Sequence, residues 1–232
     1  MRLGLDTTTE FLHLVLVDGE ECWSRRVEVG VGRSHSLALM PALDDLLARA
    51  GGDPASLDGV ACCVGPGGFT SLRIGVATAE GLALAGLPTW GFSAFELRAR
   101  ALEAAGHRRS AWILLDGQRG EAFAQPWRDG AAAGEAVKAP LDRLGDLLGA
   151  DPWWAPAAFA PRAAAALDAA PLAVEDEGGA TLKGLEALVR ACDGRAPERP
   201  LHPFYLRPTD AEVNFPEAAK HLSAALRTGL HR

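Results

Sequence analysis

The sequence predicts an α/β protein of two lobes, built from a strand-hairpin-plus-helix unit that occurs twice. Two observations carry this expectation. The apolar run Gly59-Val60-Ala61-Cys62-Cys63-Val64 reads as a buried strand, and it passes through the glycine-rich turn Gly65-Pro66-Gly67-Gly68 into a helical pattern that runs to Gly86. A strand-Asp-turn-strand pattern also appears in two places. Asp6 closes the strand Arg2–Leu5 and Asp116 closes Trp112–Leu115; each is followed by a polar turn, a second strand and an Asp-Gly pair. From Asp6 to Asp18 is 12 positions, and from Asp116 to Asp129 is 13. Recurrence of a unit together with its acidic turn is the mark of internal duplication.

In chain order, Arg2–Leu5 and Phe11–Val17 form a hairpin around Asp6-Thr7-Thr8-Thr9-Glu10, and a third strand covers Cys22–Val29. Ser34 or Ser36 caps a helix from His35 to Ala50, closed by Gly51-Gly52. The Val60 strand, the glycine turn and its helix come next. A short Leu87–Phe92 segment leads to a helix ending at Ala105, and the second hairpin runs from Trp112 to Gly130. Beyond Gly130 the chain turns alanine- and proline-rich, with a helix over Ala160–Ala170 and another over Ala180–Ala191. This organisation sets an N-terminal lobe at 1–105 and a smaller C-terminal lobe at 106–232, whose tail is able to pack back.

Composition narrows the function. With 232 residues and 48% hydrophobic content, the chain can bury a sizeable core. A mean hydropathy of +0.04 is slightly high for a monomer and points to a covered partner surface. A net charge of −7 argues against gripping nucleic acid by the protein's own field. Cys22, Cys62, Cys63 and Cys192 have no metal-type spacing and read as small core residues of a reducing compartment. No signal segment precedes Asp6, and the most apolar window, Ile74 to Phe92, is broken by Glu80, glycines and Pro88. The expectation is a cytoplasmic protein without a membrane span.

A strand, a glycine-rich turn and a helix can hold an anion on exposed backbone N–H groups and the helix dipole. The candidate contacts are Gly65, Gly67, Gly68, Thr70 and Arg73, with Thr70 or Ser71 as the helix cap. Arg73 lies in the first turn, where a cation is out of place unless it meets an anion or a carboxylate. A tight turn with a capped helix and a surface arginine explains the same residues. The duplicated hairpin with its acidic turn points to the actin-like ATPase (ASKHA) architecture, in which such a turn lies near phosphate and metal. Asp6, with Thr7, and Asp116 are then the matching groups; closure of tight hairpins is the competing reading of both aspartates. No nucleophile–base pair is identifiable, so no catalytic residue is assigned.

Two helices carry more apolar surface than a lone domain needs. The first has the stripe Leu39, Leu43 and Leu46 behind His35; the second has Leu72, Val76, Ala79 and Ala83 and is apolar nearly all round. These eight residues are the expected partner interface, with burial under the chain's own second half as the alternative.

The chain resembles the TsaB (YeaZ) family of tRNA threonylcarbamoyladenosine proteins, older label glycoprotease-like (M22-type). The resemblance rests on Leu5-Asp6-Thr7-Thr8-Thr9; Arg33-Ser34-His35-Ser36 with Met40-Pro41; Gly65 to Gly75; Asp116-Gly117-Gln118-Arg119-Gly120-Glu121; and Pro203-Phe204-Tyr205-Leu206-Arg207-Pro208. Ser71 stands where the family usually has glycine, and Gly117-Gln118 where it often has Ala-Arg. The resemblance implies a two-lobed actin-like fold and a non-catalytic subunit that pairs with TsaD and the ATPase TsaE. That assembly transfers a threonylcarbamoyl group to adenosine 37 of ANN-decoding tRNA. It implies contact with tRNA only through the complex, ATP used by the complex, and a homodimer through the same helices when TsaD is absent. TsaD holds a metal on two histidines of an Asn-His-x-Glu-Gly-His segment; Ala94 and Arg98 stand at those positions here, and neither ligates a metal. Proteolysis finds no support in the residues. The alternative from a different class is a nucleotide-binding ATPase or small kinase, using Asp6, Thr7 and the glycine turn, with Gly178-Gly179 opening an adenosine pocket in the second lobe.

Overall fold

The computed structural model describes residues 1–29, 34–107, 110–174 and 177–207; Arg33, Pro208 and the acidic pair Glu175-Asp176 lie outside them. The first sheet is built by β1 (Arg2–Asp6), β2 (Phe11–Asp18), β3 (Glu21–Glu28), β4 (Gly59–Cys63) and β5 (Thr89–Phe92), in the order β3-β2-β1-β4-β5. β1 pairs antiparallel with β2 and parallel with β4, so the strand bearing Asp6 lies at the centre.

The period-two alternation of these strands divides the core in two. Leu12, Leu14, Leu16, Val60 and Cys62 face one side; Val15, Val17, Ala61 and Cys63 face the other. The adjacent cysteines therefore point into opposite halves of the core, and burial pushes both thiols up. The first side is covered by α1 (His35–Arg49) and α2 (Phe69–Ala83), the second by α3 (Ala94–Ala104) and α6 (Glu177–Arg190). Gly4 is where α6 meets the sheet: a Cβ there would stand 2.5 Å from Val189. At Gly184, a Cβ would lie 2.7 Å from the Ala101 backbone nitrogen, so the α3–α6 crossing also needs glycine.

The second sheet repeats the plan. β6 (Ala111–Gln118) and β7 (Glu121–Arg128) form an antiparallel hairpin, and β10 (Trp153–Trp154) adds to β6 in parallel, as β4 adds to β1. β8 (Ala131–Ala132) and β9 (Val137–Pro140) extend it, and α4 (Leu144–Leu148) and α5 (Ala160–Leu167) pack on it. The two sheets share core: Ile113, Leu115 and Phe123 pack with Phe92, Phe95 and Leu185. This is the actin-like arrangement that the repeated hairpin predicts.

Three expectations need correction. α1 and α2 spend their apolar stripes inside the chain: Leu39, Leu43 and Leu46 on α1, and Leu72, Val76, Ala79 and Ala83 on α2, are all in the core, and His35 is buried with them. The i, i+3, i+4 stripe read as a partner face is the face turned to the chain's own sheet. Among the described residues, the large apolar side chains left outside are Leu37 (73% exposed), Met40 (46%), Phe69 (42%) and Leu84 (90%). Secondly, Gly178-Gly179 opens α6, which packs on the first sheet with Gly178 against the Arg26 side chain of β3, so the pair belongs to the first lobe and not to the second. Thirdly, α5 stops at Leu167, because Asp168 takes the left-handed conformation (φ +49°).

We predict that Leu43→Ala lowers unfolding free energy by about 2–5 kcal/mol, through lost apolar transfer plus a cavity. Met40→Ala stays within about 0.5 kcal/mol of the parent. Urea denaturation of both variants checks the assignment.

Candidate functional site

Both acidic turns face one cleft between the lobes, and their carboxylates are held in the same way. Asp6 is fully buried; its Oδ1 accepts from the Thr8 N–H at 2.9 Å and the Thr8 hydroxyl at 2.6 Å. Its Oδ2 lies 3.1 Å from Nη2 of Arg98 on α3, itself 2% exposed, and 3.5 Å from Nδ1 of the buried His13. Burial alone would raise the Asp6 carboxyl, but Arg98, His13 and Thr8 together hold it well below the usual carboxylate range. Asp116 repeats the pattern in the second lobe, at the surface. Its Oδ1 accepts from the Gln118 N–H at 2.7 Å, and its Oδ2 pairs with Arg162 of α5 at 3.0 Å. Each turn thus closes on its own carboxylate, and an arginine from a following helix takes the other oxygen.

The glycine turn packs against its own chain on one side and lines the cleft on the other. The Gly68 N–H donates to the Thr8 carbonyl at 3.1 Å, and a Cβ on Gly67 would lie 2.6 Å from Thr8 Cβ. Gly75 abuts Thr7, whose hydroxyl donates to the Ser71 carbonyl at 2.8 Å. Gly65, at φ +109°, has no room for a side chain between Leu72 and the Phe204 carbonyl. The close approaches that the glycines permit are to β1 and to the 204 segment. Neither Thr70 nor Ser71 caps α2: Gly68 is the N-cap residue, and the Ser71 hydroxyl donates back to its carbonyl at 3.0 Å. Arg73 meets an aromatic pair. Its Nε donates to the Tyr205 hydroxyl at 3.0 Å, and its guanidinium lies 3.8 Å from the centre of the Phe69 ring. His35, lowered chiefly by burial, lies at the start of α1 beside the Thr9–Phe11 backbone of the β1–β2 turn.

The cleft has two chambers. One, of about 410 Å³, is lined by Phe69, Arg73, Phe204, Tyr205 and Arg207; the other, of about 320 Å³, by Thr8, Arg98, Pro156 and Phe159. Pro66, Gly67, Asp116 and Gln118 line both, so the chambers are continuous across the second acidic turn. Asp6, Thr7 and Gly68 are thus brought together with the cleft wall but have their polar groups engaged within the chain, while Arg73 stands at the cleft mouth.

Sequence reasoning missed the Arg98 and Arg162 partners. The signal for Arg98 was present: a lone cation on the apolar face Ala94, Phe95, Leu97, Ala101 and Leu102 of α3 demands a buried anion.

Replacing Arg98 by Ala leaves the Asp6 charge buried without its main partner, at a cost of about 3–5 kcal/mol in urea unfolding. Because the folded-state carboxyl of Asp6 is depressed, its stabilisation is complete above the unfolded value of about 3.9 and is lost as pH falls below it. Asp6→Asn accordingly flattens the acid limb of the stability profile below about pH 4. An unchanged acid limb in that variant contradicts the assignment.

Comparison with known proteins agrees with this architecture. The family model for TsaD, tRNA N6-adenosine threonylcarbamoyltransferase, matches residues 29–171, more than half of the chain. The uncharacterized protein ML0378 of Mycobacterium leprae is 34% identical over 147 residues, covering 60% of this chain and 39% of its own length. The tRNA threonylcarbamoyladenosine biosynthesis protein TsaB of Escherichia coli is 33% identical over 143 residues, covering 60% of this chain and 61% of its own. The chain thus spans about half the length of these curated relatives. A crystal structure from Pseudomonas aeruginosa, of an uncharacterized protein with similarity to peptidase YeaZ, superposes with a TM-score of 0.70 at 25% identity, covering 89% of this chain and 99% of that one. The chain belongs to the TsaD family of threonylcarbamoyl-transfer proteins, among its TsaB (YeaZ) members.

Proposed function

We propose that this chain is a non-catalytic, cytoplasmic subunit that pairs with TsaD, and with TsaE, to support threonylcarbamoyl transfer to adenosine 37 of ANN-decoding tRNA. The observation that carries the reading is the engagement of Asp6. A carboxylate that must hold magnesium or a nucleophilic water needs a free oxygen, and the Asp6 oxygens are engaged, Oδ1 by Thr8 and Oδ2 by Arg98. The rival reading, a small kinase or ATPase, loses its main acidic ligand to the same ion pair.

The surface offered to a partner differs from the stripe legible in the sequence. Leu37 and Met40 stand outside on α1; on α2, Phe69, Arg73, Ala77, Gly81 and Leu84 recur every three or four residues and remain exposed. A side chain added at Gly81 meets open space, so that stretch allows a partner helix to come close. Burial of Met40 and Leu84 supplies the apolar affinity. Contact with tRNA falls to the partner, given the net charge of −7. A second copy of this chain competes for the same face when TsaD is absent.

Co-purification with TsaD from the same organism tests the pairing. Met40→Glu and Leu84→Glu are expected to weaken it at least about tenfold, a loss near 1.4 kcal/mol, without changing the unfolding midpoint by more than a surface substitution does. Retention of wild-type affinity in both variants overturns this face as the interface.

A further inference from the structure

We propose that residues 195–207 act as a latch, coupling the N-terminal end of α2 to the β6–β7 turn across the mouth of the cleft. The segment leaves the end of α6 and is first fastened to the first lobe. Arg195 pairs with Glu96 of α3, and its carbonyl accepts from Trp90 Nε1 at 3.0 Å. The Glu198 N–H donates to the Thr89 carbonyl at 2.7 Å, and the Thr89 hydroxyl donates back to the Glu198 carbonyl. Leu201 is buried, and its N–H donates to Glu80 of α2 at 2.7 Å. The Phe204 N–H donates to the Val64 carbonyl at 2.6 Å, at the exit of β4.

Over the next three residues the segment changes lobes. The Tyr205 hydroxyl accepts from Arg73 of α2 at 3.0 Å, and the Tyr205 ring packs on Phe69 with centroids 5.4 Å apart. Arg207 then reaches the second hairpin, where it pairs with Glu121 and donates to the Gln118 carbonyl at 3.2 Å. Tyr205 and Arg207 both line the larger chamber, together with Gln118. The anchors differ in kind. Glu198, Leu201 and Phe204 are held through their backbone N–H groups, whereas Arg195, Tyr205 and Arg207 hold on by partly exposed side chains. The end of the latch, held at Tyr205 and Arg207 by side chains, is the part that opens first.

The consequence is a link between surface and cleft. Arg73 and Phe69 lie on the exposed face of α2, so a group that engages Arg73 from outside competes with Tyr205 for it. Release of Tyr205 leaves Arg207 on a longer tether, and the Gln118–Glu121 turn loses a fixed neighbour. Only the identity of that outside group rests on the docking reading above; the latch belongs to the isolated chain.

Hydrogen–deuterium exchange on the full chain without any partner tests it, comparing wild type, Tyr205→Phe and Arg207→Ala. Arg207→Ala is expected to speed exchange in the 118–121 turn about fivefold, the scale of one lost hydrogen bond. Tyr205→Phe removes one hydroxyl that touches only α2, yet is expected to speed the same turn by a similar factor, while β5 and α6 are unchanged. If Tyr205→Phe leaves the turn at the wild-type rate, the contacts are local and no latch exists. The latch is equally overturned if neither variant changes that rate. Because no TsaD is present, the outcome is independent of whether the docking face is right.

Discussion

A charge that must stay buried organises this protein. Asp6 ends the central strand, is fully buried, and sits under a turn that folds back on it. A lone carboxylate there would cost several kcal/mol in desolvation, so the chain has to deliver a cation. Arg98 comes from α3, ninety-two positions along the sequence, and the bond between them ties the end of β1 to that helix. That closure in turn fixes what lies above it. Thr8 accepts from Gly68, Gly67 packs on Thr8, and Gly75 packs on Thr7, so α2 is seated against the end of β1. The glycine-rich turn is a packing joint of this assembly. Its small residues admit the backbone of a neighbouring strand, much as such a turn elsewhere admits a phosphate.

The second lobe uses the same solution with less burial. Asp116 and Arg162 are both about 40–50% exposed, where an ion pair contributes little to stability. Duplication has kept the turn geometry, in which one carboxylate oxygen takes the N–H two residues on. The energetic weight has shifted to the first lobe, where Arg98 and Asp6 are screened from water.

Much of the fold was legible because it follows from local pattern. The two hairpins, the acidic turns, the Gly59–Cys63 strand and the two helices flanking it come from alternation, glycine punctuation and helical periodicity, and their ends shift by only a few residues. What periodicity could not decide is which sheet a stripe faces. Leu39, Leu43 and Leu46 have the same spacing whether they cover the chain's own sheet or a partner. The burial that settles it depends on β2 and β4 presenting leucine, valine and cysteine to that side. Gly178-Gly179 misled for a related reason, since a glycine pair at a helix start has the same spacing whichever lobe the helix packs on, and α6 packs on the first sheet. The site was half legible. Asp6, Arg73 and the glycines stood out by type, and Arg98 by its place on an apolar helix face, whereas Arg162 and Tyr205 acquire their meaning only from partners far along the chain.

If Asp6 serves the fold and performs no chemistry, its charge is dispensable once its partner's charge goes with it. The most direct test removes both together, since an apolar pair of similar volume can replace a buried ion pair at little or no cost in stability. The measurement is threonylcarbamoyl transfer by the complex reconstituted with TsaD, TsaE and the Asp6→Leu/Arg98→Met double variant. Activity close to that of the wild-type complex is the predicted result. Loss of transfer, with the variant folded and still bound to TsaD, would contradict a purely structural role and assign Asp6 a part in the reaction.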